Sequence, residues 1–323
     1  AFGGGYINNW VLLNPGDQNS QIIICGDFIA QSSSGPYYGL ARLNGDGSVD
    51  PTFAHTLTSS DGIRWSTQSA PDQNWVALCW ARELGLFVAV SDSGTGQRVM
   101  TSPDGRSWTL RQTPADNAWT SICWAPELGL LVAVASSGTG NRVMTSSDGL
   151  TWTAGPAAAD QEWRAICWAP QLGLLVAVSS TGAGQRVMTS RDGRSWTLRS
   201  TPADVSWMAL CWATQLGLLV AVSSSGKGNR VMTSADGITW TTRNSAADNA
   251  WTSLCWAPER EVLVAVASSG TGNRIMTSAD GLSWTVRSSP ADTGWRSLCW
   301  SPQLRQFAAV SNSGSGNRVM VSP

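Results

Sequence analysis

Two charged side chains and an aromatic recur along this chain at a spacing suited to ligand binding. An Asp stands three residues before a Trp at Asp72/Trp75, Asp116/Trp119, Asp160/Trp163, Asp204/Trp207, Asp248/Trp251 and Asp292/Trp295. An Arg before a Val-Met or Ile-Met pair recurs at Arg98, Arg142, Arg186, Arg230, Arg274 and Arg318. A carboxylate accepts hydrogen bonds, a guanidinium donates them, and an indole offers an apolar face. Directional polar groups beside an aromatic platform suit the vicinal hydroxyls and apolar face of a neutral sugar. The same groups have a plain structural use, since Asp and Arg can cap strands and pair with each other.

Catalysis fits the residues less well. The single histidine, His55, would have to serve any Ser-His-Asp arrangement, and no nucleophile elbow lies near a Ser. Glycoside hydrolysis by two carboxylates needs two special acids. Glu83, Glu127, Glu162, Glu259 and Glu261 mostly mark turns at strand ends instead. The Gly-x-Gly of each Ser-Gly-Thr-Gly-Asn-Arg loop opens no helix, so it is not a phosphate loop. Cys79, Cys123, Cys167, Cys211, Cys255 and Cys299 occupy one repeated position between apolar neighbours. Such thiols read as small buried hydrophobes rather than as disulfide partners or a metal ring. Neither a cofactor nor a metal is expected, and the chain reads as a non-enzyme.

The elements that must position these residues follow from their period. Trp108, Trp152, Trp196, Trp240 and Trp284 succeed one another at intervals of 44 residues. A period of 20–50 residues signals a solenoid, a propeller or an array. Within the unit from Ala118 to Ala154, four strands are expected. They are 118–125, the apolar run 128–135, 141–146, and 150–153 after an Asp148-Gly149 hairpin turn. Four antiparallel strands in one such unit make a propeller blade, whose two faces are both buried. That burial accounts for the 19 Trp residues, each removing about 150–250 Å² from water.

The motif Ser-x-Asp-Gly-x-x-Trp, with Asp at 61, 104, 148, 192, 236 and 280, resembles the Asp-box, or BNR-like, hairpin of sialidases, sortilin-like receptors and propeller lectins. It is one residue shorter than the usual form. The resemblance covers residues 58–323 and implies a structural role: the Asp accepts turn amides and the Trp packs beneath. Sialidase activity is not implied, because that chemistry uses a Tyr nucleophile, and Tyr occurs only at positions 6, 37 and 38. Residues 8–28 with 40–53 resemble one delta-60 repeat of bacterial propeller-like proteins. That resemblance implies strands near 7–14, 21–28, 38–43 and 48–53. Asn44 to Asp50 could pass for a calcium loop, but reads better as a turn because no bidentate Glu follows.

The expected fold is therefore an all-β propeller of four-stranded antiparallel blades. Residues 1–54 form a divergent N-terminal blade and residues 55–323 form six repeats of one ring. Seven blades are favoured, with six as the alternative. The sequence reaches Ser322-Pro323 where a further Asp-Gly hairpin is due, so an N-terminal strand is expected to complete the last blade. A net charge of −1 gives no basic track for nucleic acid. No run approaches the length of a membrane span. The expected partners are neutral glycans or glycoconjugates, or alternatively the proteins of a larger assembly such as a phage tail, fibre or surface layer. The expected setting is extracellular, secreted or virion-associated.

Overall fold

The computed structural model describes residues 7–12, 22–26, 29–32, 35–38, 55–59, 66–302, 304–314 and 318–322, with side chains from Ala70 onward. Blade three shows how the repeat folds. Its inner strand, Trp119–Ala125, is followed by a 3₁₀ turn at Pro126–Leu128. Pro suits the first position of that turn, and Gly129 ends it at φ 57°, a left-handed conformation that glycine adopts without strain. The apolar run then becomes the strand Leu130–Ala135, buried at every position. Val143–Ser146 and the short Thr153–Gly155 complete an antiparallel sheet in which Cys123 faces Val132 and Ala133 faces Met144. A register shift between Trp119 and Ser121 bulges the inner strand, and the same shift recurs in the inner strand of every later sheet.

Among the described residues there are six four-stranded antiparallel sheets, one sheet of three strands and one of two. Blade one contains Ile7–Leu12, Ile22–Gly26, His55–Ser59 and Ser66–Ser69. Blades two to six begin with the inner strands Trp75–Ala81, Trp119–Ala125, Trp163–Ala169, Trp207–Ala213 and Trp251–Ala257. The closing sheet contains Trp295–Ser301, Gln306–Ser311 and Val319–Val321. Successive inner strands lie side by side, and Ile7–Leu12 lies against both Trp75–Ala81 and Trp295–Ser301, which closes the ring.

Blades two to six each have one bulky face and one small face. Trp119, Ile122, Leu131, Met144 and Trp152 of blade three pack on Ala77, Ala81, Val88, Val90 and Val99 of blade two. The same pairing of large on small recurs between blades three and four, four and five, and five and six. Burying one Trp in such a joint contributes at most about 4–6 kcal/mol at about 25 cal/mol/Å².

Three expectations need correction. Complete four-stranded blades number six among the described residues, not seven. No described N-terminal strand completes the closing sheet, because Ile7–Leu12, Ile22–Gly26, His55–Ser59 and Ser66–Ser69 pair with one another. The hairpin is also wider than an Asp-Gly turn. Six residues separate Ser146 from Thr153, and Trp152 precedes the fourth strand rather than sitting within it. In the N-terminal segment, Ile29–Ser32 and Gly35–Tyr38 form a separate two-stranded hairpin. The strand expected at 48–53, most of that at 38–43, the first Asp-Gly motif at Asp61 and the turn at Asn44 to Asp50 lie outside the described residues. No described helix is long and apolar enough to cross a membrane.

Candidate functional site

The six repeated Arg residues stand just before the third strands, at the end of each loop that joins the second strand to the third. Their guanidiniums turn inward onto backbone carbonyls. Arg142 Nε donates to the Gly138 carbonyl at 2.8 Å. Its Nη1 donates to the carbonyls of Ser136 and Gln161, each at 2.7 Å. Arg98, Arg186, Arg230 and Arg274 repeat the bond to the loop glycine and the bond six residues back. Arg318 Nε donates to Gly314 in the same way. The loop glycine permits this geometry: Gly138 has φ 102°, and a Cβ there would collide with the amide of Asn117.

The connector Asp residues meet these arginines, as the spacing suggested. Asp116, Asp160, Asp204, Asp248 and Asp292 lie 3.5–3.6 Å from Nε of Arg98, Arg142, Arg186, Arg230 and Arg274. Each carboxylate also accepts the N–H of the second loop glycine, as in Gly96 to Asp116 at 2.6 Å and Gly184 to Asp204 at 2.7 Å. The arginine side chains are only 13–14% exposed, whereas the carboxylates are 37–50% exposed. Asp72 has no Arg partner among the described residues, and partial burial raises its pKa.

The tryptophans do not join this surface set. Trp75, Trp119, Trp163, Trp207, Trp251 and Trp295 are at most 2% exposed. They anchor the joints between blades, because bulky apolar rings gain most where both faces of a sheet are covered. Trp75, Trp163, Trp251 and Trp295 donate Nε1 to the carbonyl four residues earlier. The apolar platform expected of them is therefore a correction: the structure brings Asp and Arg together and puts Trp beneath them.

At the opposite end of blades two to six, the Ser-x-Asp-Gly-x-x-Trp hairpin is closed by its own side chains. Asp148 Oδ1 accepts the N–H groups of Leu150 and Thr151 at 2.8 Å, and Ser146 Oγ accepts that of Gly149. Trp152 Nε1 donates to the Gly149 carbonyl. Hydrogen bonds from Ser195 and Arg194 N–H hold the equivalent Asp192 carboxyl down at about 2. Asp104, Asp148, Asp236 and Asp280 are also lowered, through the same amides.

Three features escape the sequence pattern. The first links an inner strand to the turn that follows the preceding blade's inner strand. Trp124, Trp168, Trp212, Trp256 and Trp300 donate Nε1 to Glu83, Glu127, Gln171, Gln215 and Glu259 of the preceding blade, at 2.5–2.7 Å. Glu and Gln both occur at this repeated position, and only the acceptor oxygen they share would have revealed the role. The second breaks the symmetry of the repeats. Arg164, on the bulge of blade four, pairs with Glu162 and donates to Ser180 Oγ at 2.9 Å. The Ser180 hydroxyl first and Arg164 second lower the pKa of Glu162 against the cost of partial burial. The third is the thiols. All six described cysteines are free, and burial pushes Cys167 and Cys255 up to about 12. Their side chains are neither fully buried nor exposed, and the enclosing protein opposes ionisation. Among the described residues, no group of three or more His, Cys, Asp or Glu could hold a metal ion.

Comparison with known proteins supports the architecture. A family model described as "Domain of unknown function (DUF5122) beta-propeller" matches residues 18–53. The chain contains a β-propeller domain. No curated protein matches it by sequence. Among solved structures, a streptogramin B lyase superposes with a TM-score of 0.69 at 10% identity, covering 98% of this chain and 96% of that one. YCF48 bound to D1 peptide gives a TM-score of 0.61 at 14% identity, with 97% and 94% covered. The Cps50 (Swd1) β-propeller domain of Myceliophteria thermophila gives 0.60 at 12% identity, with 91% and 98% covered. At these identities the likeness is one of fold.

Proposed function

We propose that this propeller is a non-enzymatic, multivalent binding protein whose loop face takes neutral, hydroxyl-rich ligands such as glycans, in an extracellular or virion-associated setting. One observation carries the reading. Five connector carboxylates are fixed in place by an Arg and a glycine amide, yet remain 37–50% exposed. In Asp116, Asp204 and Asp248 only Oδ1 is hydrogen-bonded among the described residues, so the second oxygen can accept a ligand hydroxyl. Neighbouring loop hydroxyls, including those of Thr95, Thr139 and Thr271, add donors and acceptors. The arginines support this site from below rather than touching ligand. With no aromatic platform, each site is weak, and repeated identical sites gain through avidity.

The test is a glycan array followed by calorimetry against neutral monosaccharides. The expected result is several equivalent sites, weakened by Asp204→Asn at unchanged melting temperature. Silence across neutral glycans overturns the reading. A second reading is a propeller module of a larger protein assembly. A fold neighbour described as bound to a peptide, YCF48, lends it support.

A further inference from the structure

The hairpin of blade four departs from its repeats in charge. Arg191, Arg194 and Arg199 flank its Asp192-Gly193 turn. In blades two, three, five and six the position of Arg191 holds Pro103, Ser147, Ala235 and Ala279. The position of Arg199 holds Arg111, Gly155, Arg243 and Arg287. Of these five blades, blade four alone carries Arg at both. The two arginines line one cavity of about 260 Å³, with Asp192, Thr197, Leu174 and, from the hairpin of blade five, Ile238.

Most of the donor capacity in this cavity is unused. Arg199 Nε donates to Thr189 Oγ1 at 2.9 Å, and Arg191 Nη1 donates to the Leu172 carbonyl at 3.1 Å. Their remaining guanidinium nitrogens, and the Thr197 hydroxyl, make no hydrogen bond or ion pair among the described residues. The bond to Leu172 does not shape the turn it meets. Gly129 and Gly173 end their 3₁₀ turns at φ 57° and 55°, although blade three has Ser147 where blade four has Arg191. The carboxylates nearby are already engaged. Asp192 Oδ1 accepts the amides of Arg194 and Ser195 and the hydroxyl of Ser190. Asp236 of the blade-five hairpin likewise accepts the amides of Ile238 and Thr239. Three arginines against these two acids leave a net charge of +1 (3 − 2).

We propose that blade four holds an oxyanion site between Arg191 and Arg199, and that its ligand is a sulfate or phosphate monoester. A guanidinium presents N–H donors in a fixed fork that matches such oxyanions. A monoester offers three terminal oxygens, enough to engage both guanidiniums and the Thr197 hydroxyl. A carboxylate offers two, which a single guanidinium satisfies. The cavity, at about 260 Å³, is smaller than the pockets of about 300–1,000 Å³ that enclose drug-sized ligands. It therefore takes the charged group and leaves the rest of the molecule at the mouth, beside Ile238, which is 48% exposed. The site lies on the hairpin face and is independent of the loop-face ligands.

The probes are phenyl phosphate and phenyl sulfate, titrated calorimetrically into the full chain, with benzoate as the planar control. The expected result is binding of an ester at one site per chain, with the NMR signals of Arg191 and Arg199 Nε–H shifted. Benzoate should bind at least about tenfold more weakly. Whichever ester binds more tightly identifies the natural group. Arg191→Ala installs the residue found in blades five and six, and should weaken ester binding at least about tenfold at unchanged melting temperature. Arg287→Ala, at the position of Arg199 in blade six, should leave binding unchanged. Arg191→Ser, after Ser147 of blade three, gives the same reading if the alanine variant does not fold. The proposal is overturned if neither ester binds, or if benzoate binds as tightly. It is also overturned if Arg191→Ala and Arg287→Ala behave alike, which would mean diffuse attraction to a surface rather than a site.

Discussion

The two ends of blades two to six use the same side chain in opposite ways. At the hairpin end, Asp148 bonds amides two and three residues further along the chain, and its partner Ser146 is two residues back. At the loop end, Asp160 accepts the amide of Gly140, twenty residues earlier. The first arrangement shapes one turn. The second ties the connector leaving a blade back to that blade's loop, and Arg142 bonds the same connector at Gln161. A local Asp therefore determines hairpin geometry, whereas a connector Asp determines how the chain enters the next blade.

The buried anchor of that connector gives the largest expected effect. Trp207→Ala removes a fully buried indole from the joint between blades four and five. It should cost about 3–5 kcal/mol, read as a lowered denaturation midpoint. A loss below about 1 kcal/mol would show that the surrounding Ala and Val residues hold the joint without it. Arg186→Ala comes next. It strands the carbonyls of Gly182 and Ser180, and should cost about 1–3 kcal/mol. Asp204→Ala acts on the same joint from its exposed side, so about 0.5–1.5 kcal/mol is expected. If Asp204→Ala proved costlier than Arg186→Ala, the carboxylate rather than the guanidinium would be the fastening group.

Hairpin changes should be smaller and tunable by pH. Asp192 is held at about 2, below its ordinary 3.8, so its contribution is complete above about pH 4 and is lost as pH falls through 2. Wild-type melting temperature should drop across that window, and Asp192→Asn should flatten the drop. An identical acid profile for the variant would assign the acid sensitivity to other carboxyls. The thiols should contribute least. With Cys167 near 12, labelling of the native protein at pH 8 should be slow for all six described cysteines. Fast labelling of most of them would show that they ionise despite their enclosure.

Much of the repeat could be read from sequence because its signals agree at every level. The pattern of Trp119, Cys123 and Trp124, the run 130–135 and the Asp148-Gly149 turn each point to one antiparallel blade. The hairpin width was misjudged because an Asp-Gly pair usually marks a two-residue turn. Here the carboxylate captures two amides and carries the loop on to Trp152. The Asp–Arg pairing was readable because both partners repeat with the same period. The burial of the connector tryptophans was not, since a Trp beside polar loop residues suits a platform and an anchor equally well. The bond from Trp168 to Glu127 crosses 41 residues and a blade boundary, and no local pattern signals it. The pairing of the repeat's first strands is hidden for a related reason. His55–Ser59 and Ser66–Ser69 carry the repeat's sequence but pair with N-terminal strands that do not.

The bulky and small faces of each blade have a consequence for assembly. Every joint from blade two to the closing sheet is head-to-tail: the Trp and Met side of one blade meets the Ala and Val side of the one before it. Contacts of that type form a ring only when their accumulated rotation returns to the starting point, and otherwise extend as an open helix. The geometry of one joint therefore fixes the circumference of the whole. Widening that wedge, for instance by enlarging Ala177 or Ala221 throughout, would not simply loosen the molecule. It would leave a gap at the seam and convert a self-contained disc into a protomer with two unlike, mutually adhesive ends.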